Sequence, residues 1–460
     1  MMSLKGRRVL VMGLGLFGGG VGAVRYLYRE GARVTVTDLR PAHDLSESLG
    51  VLEGLPVRFR LGGHDEEDFR QADLIVANPA VPRSSPFLRT AEAADVPITT
   101  EVCLFVECCA APVVGITGSS GKTTTTSLVG AMLRRGAPHA LVGGNIGGCL
   151  LDRLDKITPD WPVVLELSSF QLDRLGDLPW SPQVAVVTNF APNHLDVHGS
   201  LEAYRHAKRQ IVAHQRREDW AVLNADDTEV IGWADSGEGR CLLFSLERRL
   251  ERGVFIREGE IRHTFEGPER TVGPTSDLQI EGRHNLANAL AASAAALCRG
   301  VPEREIAEAL RSFPGVEHRL ERVVEIGGVT YYNDSIATSP DRTRVALEAL
   351  SGGIVLIAGG YDKGLAFDAL GLVIGQKVSD LILLGKTADA IAASVPEEAP
   401  TRIHRAISLE EAVATAAELA RPGGAVLLSP ASASYDMFRN FEERGRLFKD
   451  RVAVLAGERG

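Results

Sequence analysis

The residues Thr117-Gly118-Ser119-Ser120-Gly121-Lys122-Thr123-Thr124 carry the most specific chemistry in the chain. Two glycines let backbone N–H groups approach phosphate oxygens. The lysine ammonium can reach a terminal phosphate, and the Thr123 hydroxyl is a hard oxygen donor suited to Mg²⁺. Such a loop works only between a strand and a helix, and both are predicted. Pro112-Val113-Val114-Gly115-Ile116 reads as a buried strand, and Thr123 to Arg135 as a helix that stops at Gly136. The spacing departs from the strict Walker pattern, which wants glycine where Ile116 stands, so Gly118 must supply the freedom of the turn. A Gly-Lys-Thr can also arise by chance in a surface loop. The strand–loop–helix context argues instead that Gly118, Ser119, Ser120, Gly121, Lys122, Thr123 and Thr124 bind ATP or GTP.

Three further residues could act on a phosphate. Glu166 ends the apolar run Val163–Leu167, an expensive place for a carboxylate unless it faces a cation or a cleft. His194 lies just beyond the predicted strand Val184–Thr188, where α/β folds place their sites. Each alone reads as structural; downstream of a phosphate loop, both become candidate Mg²⁺ ligands. Lys208 shares a helical face with Leu201, Tyr204 and Ile211, behind an N-cap at Ser200. A lysine on an apolar stripe loses hydration, and the free amine that results can take up CO₂ as a carbamate. The alternative is that Lys208 extends its ammonium along the surface to water.

A second glycine pattern, Gly13-Leu14-Gly15-Leu16-Phe17-Gly18, follows the predicted strand Arg8–Met12 and opens the predicted helix Gly20–Glu30. Asp38 ends the next strand, as in a dinucleotide site where the acid binds a ribose hydroxyl. An NAD dehydrogenase is one reading. A nucleoside diphosphate carried by a sugar substrate fits the same physics, and it leaves room for the ATP site at Lys122.

Positioning these residues takes a large α/β protein. The chain has 460 residues, 45% hydrophobic and 24% charged, enough for two to four domains with ordinary cores. A net charge of −10 argues against a nucleic-acid surface. Cys103, Cys108, Cys109, Cys149, Cys241 and Cys298 show no metal or redox spacing and read as reduced. No apolar run approaches the ~20 residues that span a bilayer, and the glycine-rich N-terminus is unlike a signal peptide. A cytoplasmic protein without membrane contact is expected. Strand and helix signals alternate through the first hundred residues, which predicts a parallel sheet covered by helices. Further strands are predicted at Trp220–Leu223, Ile354–Ala358, Asp380–Leu384 and Ala425–Leu428. Short strands are expected between about 240 and 280, and an alanine-rich helix over Leu286–Leu297. Three α/β domains in series result.

With these motifs in order, the chain resembles the Mur ligases, ATP-dependent enzymes that add amino acids to the peptidoglycan precursor. The matching segments begin with Gly-Leu-Gly-Leu-Phe-Gly from 13, Ile-Thr-Gly-Ser-Ser-Gly-Lys-Thr-Thr from 116 and Gly-Gly-Asn-Ile-Gly from 143. They continue with Leu-Glu-Leu-Ser-Ser-Phe-Gln-Leu from 165, Asn-His-Leu-Asp from 193 and Gly-Arg-His-Asn-Leu-Ala-Asn from 282. Asn-Asp-Ser from 333, Gly-Gly-Tyr-Asp-Lys-Gly from 359 and Ser-Pro-Ala-Ser-Ala-Ser-Tyr-Asp-Met-Phe from 429 complete the match. The resemblance implies a Rossmann-like UDP-substrate domain over 1–107, a P-loop ATP-binding domain over 108–315 and a Rossmann-like glutamate ligase domain over 316–460. It implies ATP and Mg²⁺ as cofactors, with UDP-N-acetylmuramoyl-L-alanine and glutamate as substrates. A monomer without nucleic-acid partners is expected.

The resemblance also implies roles. Lys122 and Thr123 would bind ATP phosphates and a Mg²⁺, and Asn288, Arg319 and Asp334 the adenine and ribose. Thr123, Glu166, His194 and a carbamylated Lys208 would hold metal. Gly15, Leu16, Phe17, Asp38, Arg40 and Asn145 would line the UDP-substrate site, and Lys363, Ser434 and Phe441 the glutamate site. The chain departs from the family pattern at two positions. Ile336 follows Asn-Asp-Ser where the D-glutamate enzymes commonly carry lysine, and Phe17 stands where a small hydroxyl residue is usual. L-glutamate or another amino acid therefore stays open as the added group. So do a folylpolyglutamate synthase-type ligase and a nucleotide-gated binding protein without turnover.

Overall fold

The computed structural model describes residues 3–15, 19–146, 149–193, 198–280 and 282–459. Its described strands form sheets of five, nine and six strands. The five-stranded sheet is wholly parallel and runs Arg58–Leu61, Arg33–Asp38, Arg8–Met12, Leu74–Ala77, Ile98–Thr99. Val9 to Met12 are all buried, the continuous apolar run that a strand covered on both faces requires. Asp73 stands just before the strand Leu74–Ala77 and does not continue it. The Asp73 carboxylate turns back instead to accept from the Arg8 backbone N–H and guanidinium, each at 2.8 Å.

In the nine-stranded sheet the phosphate-loop strand Val113–Thr117 is interior, between Val184–Val187 and Val163–Glu166. All five of its residues are buried. Its helix spans Lys122–Gly136 and packs on the helix Arg283–Cys298. Asn288 to Leu297 of that second helix are buried without a break. Alanine's small side chain permits this, because it lets two helices and a sheet approach closely. Apolar periodicity missed the first turn, Arg283-His284-Asn285, because that turn is polar. The short strands expected between 240 and 280 are present as Arg240–Ser245, Gly253–Arg257, Glu260–His263 and Arg270–Pro274. The last two pairings are antiparallel.

The chain divides into two compact units, Met1–Leu278 with Arg283–Ser312, and Gln279–Gly282 with Phe313–Gly460. The first unit therefore holds two sheets, and a shared core explains why. One cluster takes Val11, Leu27 and Val36 from the five-stranded side and Leu165, Val187 and Val212 from the nine-stranded side. Leu104 and Phe105 join them from the helix Glu101–Cys108, which Thr100 caps by accepting from the Cys103 N–H. Each fully buried side chain of this size contributes ~1.5–3 kcal/mol, so these two sheets separate only at large cost. The second unit is built on the six-stranded sheet, which runs Glu321–Ile326, Val329–Asn333, Ala425–Leu428, Ile354–Ala358, Val378–Leu383, Arg402–Arg405. Only its first pair is antiparallel.

Gly22 lies inside the helix Gly19–Arg29 where that helix meets the middle sheet's loops. A Cβ there would sit 2.2 Å from Cys149 Cβ and 2.4 Å from its Sγ. Gly22→Val should cost ~1–3 kcal/mol through overpacking and lower the first unit's urea-unfolding midpoint. An unchanged midpoint would contradict the packing between the two sheets.

Candidate active site

The phosphate loop takes its shape from two glycines. Gly118 has φ 152°, and a Cβ there would lie 1.9 Å from Thr188 Oγ1. Gly121 precedes the helix at φ 78°, and its Cβ would lie 2.3 Å from Asn288 Oδ1. The loop is also held from the next strand. Thr188 Oγ1 donates to the Ser120 carbonyl at 2.6 Å, and the Ser120 N–H donates to Asn189 Oδ1 at 2.9 Å. The Ser119 N–H donates to the Asn189 carbonyl at 3.0 Å. Sequence reasoning missed Thr188 and Asn189. They are neutral and sit after an ordinary valine run, so only their place one strand away from Gly118 gives them a role.

Lys122 folds over the loop, donating Nζ to the carbonyls of Gly118 at 2.9 Å and Ser119 at 3.3 Å. Lys208 reaches the same carbonyl from the helix Leu201–Ala213, whose start Ser200 caps by accepting from the Ala203 N–H. Its Nζ donates to Gly118 O at 2.8 Å and Thr117 Oγ1 at 3.3 Å, and stands 4.9 Å from the Tyr204 ring. At 1% exposure Lys208 does not extend to water, so the surface alternative is excluded. Burial, reinforced by Lys122 and opposed by Glu166, holds its pKa well below the ordinary lysine range.

Glu166 reaches this centre because its segment is a strand followed by a capped helix. Ser168 Oγ accepts from the Gln171 N–H at 3.3 Å, and Gln171 Oε1 accepts from the Ser168 N–H at 3.0 Å. The strand therefore ends at Glu166, which is buried. Its Oε1 accepts from Asn145 Nδ2 at 2.9 Å, while Oε2 has no partner among the described residues. An orphaned, buried carboxylate oxygen beside a phosphate loop suits a cation. Among the described residues no three His, Cys, Asp or Glu side chains cluster as a metal site. His194, Leu16 and Phe17 lie outside the described residues. His198 donates to or accepts from Ser169 Oγ at 2.9 Å and stacks on Phe170, bracing the turn after Glu166.

At the N-terminal glycines the acid has a structural task. Asp38 Oδ2 accepts from the N–H groups of Leu14 at 2.9 Å and Gly15 at 3.3 Å, and Oδ1 from the Arg40 N–H at 2.9 Å. Ser48 Oγ donates to the Gly15 carbonyl at 2.8 Å. The carboxylate thus shapes the loop itself.

Asn288 lies in the first unit, against the start of the phosphate helix, with its Oδ1 3.4 Å from Thr125 Oγ1. Arg319, Asp334, Lys363, Ser434 and Phe441 belong to the second unit. Burial pushes the Asp334 carboxyl up to about 6, against the Ser429 hydroxyl and Leu320 N–H that favour its charge. Lys363 lines a small pocket with Tyr361, Phe367, Thr387 and Ser432. The Ser434 carbonyl accepts from the N–H groups of Met437 at 3.1 Å and Phe438 at 2.8 Å. The Phe441 carbonyl accepts from Ser335 Oγ at 2.7 Å. A residue that sequence reasoning missed joins these segments. Arg444, 2% exposed, donates Nε to Ser335 Oγ at 3.0 Å, and Nη2 to the Ser335 carbonyl at 2.9 Å and the Ser432 carbonyl at 3.3 Å. Burial lowers its pKa to about 10, with Asp436 opposing. In sequence it reads as one more charge in Glu-Glu-Arg-Gly-Arg.

The chain is similar to known proteins along nearly its whole length. The MurD-like N-terminal domain of Mur ligases matches residues 7–100, the Mur ligase middle domain 116–296 and the glutamate ligase domain 318–432. UDP-N-acetylmuramoylalanine--D-glutamate ligase from Roseiflexus sp. (strain RS-1) is 43% identical, covering 97% of this chain and 98% of the relative. The enzyme of that name from Symbiobacterium thermophilum is also 43% identical, over 98% of each. Among solved structures, UDP-N-acetylmuramate-alanine ligase MurC from Thermotoga maritima shares the fold at TM-score 0.61 and 20% identity, covering 98% of this chain and all of that one. Three domain matches in order, and identity above two-fifths across nearly the whole length, leave one conclusion: the chain belongs to the Mur ligase family.

Proposed function

We propose that this chain is an ATP-dependent amide ligase that joins D-glutamate to UDP-N-acetylmuramoyl-L-alanine during peptidoglycan precursor synthesis. The observation that carries the reading is the buried centre in which Lys122 and Lys208 both donate to the Gly118 carbonyl. Lys122 on the loop is suited to a polyphosphate, and the buried Lys208 and Glu166 behind it to the chemistry that a bound cation would need. The name shared by relatives 40–43% identical over nearly the whole chain supplies the substrates.

The reaction begins with ATP held on the loop N–H groups and the start of the helix Lys122–Gly136, where Lys122 swings from Gly118 O to the terminal phosphate. An oxygen of the alanyl carboxylate attacks the γ-phosphorus, the bond to the β–γ bridging oxygen breaks, and ADP leaves. The acyl phosphate has a far better leaving group than oxide. The glutamate amine attacks its carbonyl carbon, loses a proton, and the tetrahedral intermediate expels phosphate. Electrostatic stabilisation of the transferring group is the main protein contribution to such a step. Thr123, Glu166 and His194 would hold Mg²⁺, which would further neutralise phosphate charge. Burial favours the neutral amine of Lys208. Its lone pair would form an N–C bond to CO₂ as one C=O π bond opens onto oxygen, the nitrogen would lose one proton to solvent, and the neutral amine would become a carbamate anion able to offer an oxygen donor. Arg319 and Asp334 would hold the adenosine, and Gly15, Asp38, Arg40 and Asn145 the nucleotide-sugar acid. The protein would work in the cytoplasm as a monomer, where both substrates are soluble.

Phosphate release should require ATP, UDP-N-acetylmuramoyl-L-alanine and glutamate together, with D-glutamate used in preference to L-glutamate. Equal or greater use of L-glutamate would reassign the amino acid, and release with dihydrofolate as acceptor would reassign the ligase. Lys122→Ala should lower kcat by at least ~100-fold, the scale of losing one preorganised charge-stabilising group; near-normal ADP formation would refute its role. Lys208→Ala should be inactive and regain part of its activity with added short-chain carboxylic acids. Full activity in the variant, or no rescue, counts against the carbamate.

A further inference from the structure

The pocket beside Lys363 holds an unusual gathering of positive charge. Among the described residues the Lys363 ammonium makes no hydrogen bond or ion pair. Arg342, on the helix Pro340–Ala349, donates Nη1 to the Ile336 carbonyl at 3.1 Å, which ties its guanidinium to the turn leading to Thr338 in the pocket wall. Arg444 is buried behind that wall on the carbonyl of Ser432, another lining residue. Burial lowers the Lys363 pKa, and repulsion from Arg342 and Arg444 lowers it further. The carboxylates of Asp334 and Asp436 interact with Arg342 and Arg444 respectively, and Lys363 has no such counterpart. Like charges drawn toward one concavity are unfavourable until an anion joins them. Phe367 and Leu365 add apolar side chains to its lining, suited to a short methylene chain.

We propose that Arg342 is a specificity-determining residue of the amino-acid pocket, its guanidinium and the Lys363 ammonium each taking one carboxylate of the incoming glutamate and leaving the amine free to attack. This rests on the ligase reading above. The test measures amino-acid-dependent phosphate release for the wild-type chain, Arg342→Ala and Arg342→Lys, with D-glutamate and D-glutamine. Arg342→Ala should raise KM for glutamate by about 10- to 100-fold, the worth of a charge-assisted hydrogen bond. The preference for glutamate over glutamine should fall by a similar factor, while KM for ATP and for the nucleotide-sugar acid stays unchanged. Arg342→Lys should recover part of both effects. Melting temperatures are taken for each variant, and if Arg342→Ala melts early the decision passes to Arg342→Lys, whose partial loss of preference supports the proposal. A wild-type KM for glutamate, an undiminished preference, or a rise in KM for ATP instead would overturn it while the wild-type chain remained an active ligase. A wild-type chain that releases no phosphate would overturn the ligase reading and this proposal together.

Discussion

The carbonyl of Gly118 is the point on which the candidate centre turns, because two lysines from different helices donate to it. Neither interaction is an ion pair. A neutral carbonyl cannot offset the several kcal/mol that burying an ammonium costs, and Lys208 responds by a depressed pKa. Of the two lysines, Lys122 on the loop is therefore the one suited to incoming negative charge. The free oxygen of Glu166 sits in the same centre and favours a cation. A nucleotide polyphosphate with its metal answers both needs at once, which neither alone would do.

Rigid supports make this possible. Thr188 and Asn189 fix the loop from a neighbouring strand, Asn288 closes against Gly121, and the capped turn at Ser168 brings Glu166 to its strand end. In the second unit Arg444 performs the corresponding task, pulling the segments around Ser335 and Ser432 together beneath the pocket that holds Lys363. These supports carry no chemistry of their own. They hold the chemistry in one geometry, so their loss should resemble a positioning defect more than a charge defect.

Much of this was legible in the sequence, for identifiable reasons. Strands buried on both faces are continuous apolar runs, so Val113–Thr117 and Ile354–Ala358 stand out. A loop that must approach phosphate needs glycine, so Gly118 and Gly121 stand out too. Lys208 could be placed on the right helix face by periodicity, but not buried; that depends on the depth at which the helix packs, which no local pattern encodes. Asp38 looked like a ribose ligand because its spacing is right, and its hold on the Leu14 and Gly15 amides is visible only in three dimensions. Thr188, Asn189 and Arg444 were missed because their importance lies in partners 68 to 109 residues away. The union of two sheets in one unit was equally hidden, since a shared core depends on which helix faces meet.

The central claim is that this buried centre moves a phosphoryl group from ATP onto a carboxylate before the amide forms. The direct measurement is the fate of oxygen. With ¹⁸O in the alanyl carboxylate of the nucleotide-sugar acid, one labelled atom should appear in each phosphate released as the amide forms. Released phosphate free of label, in a reaction that still makes the amide, would contradict the account.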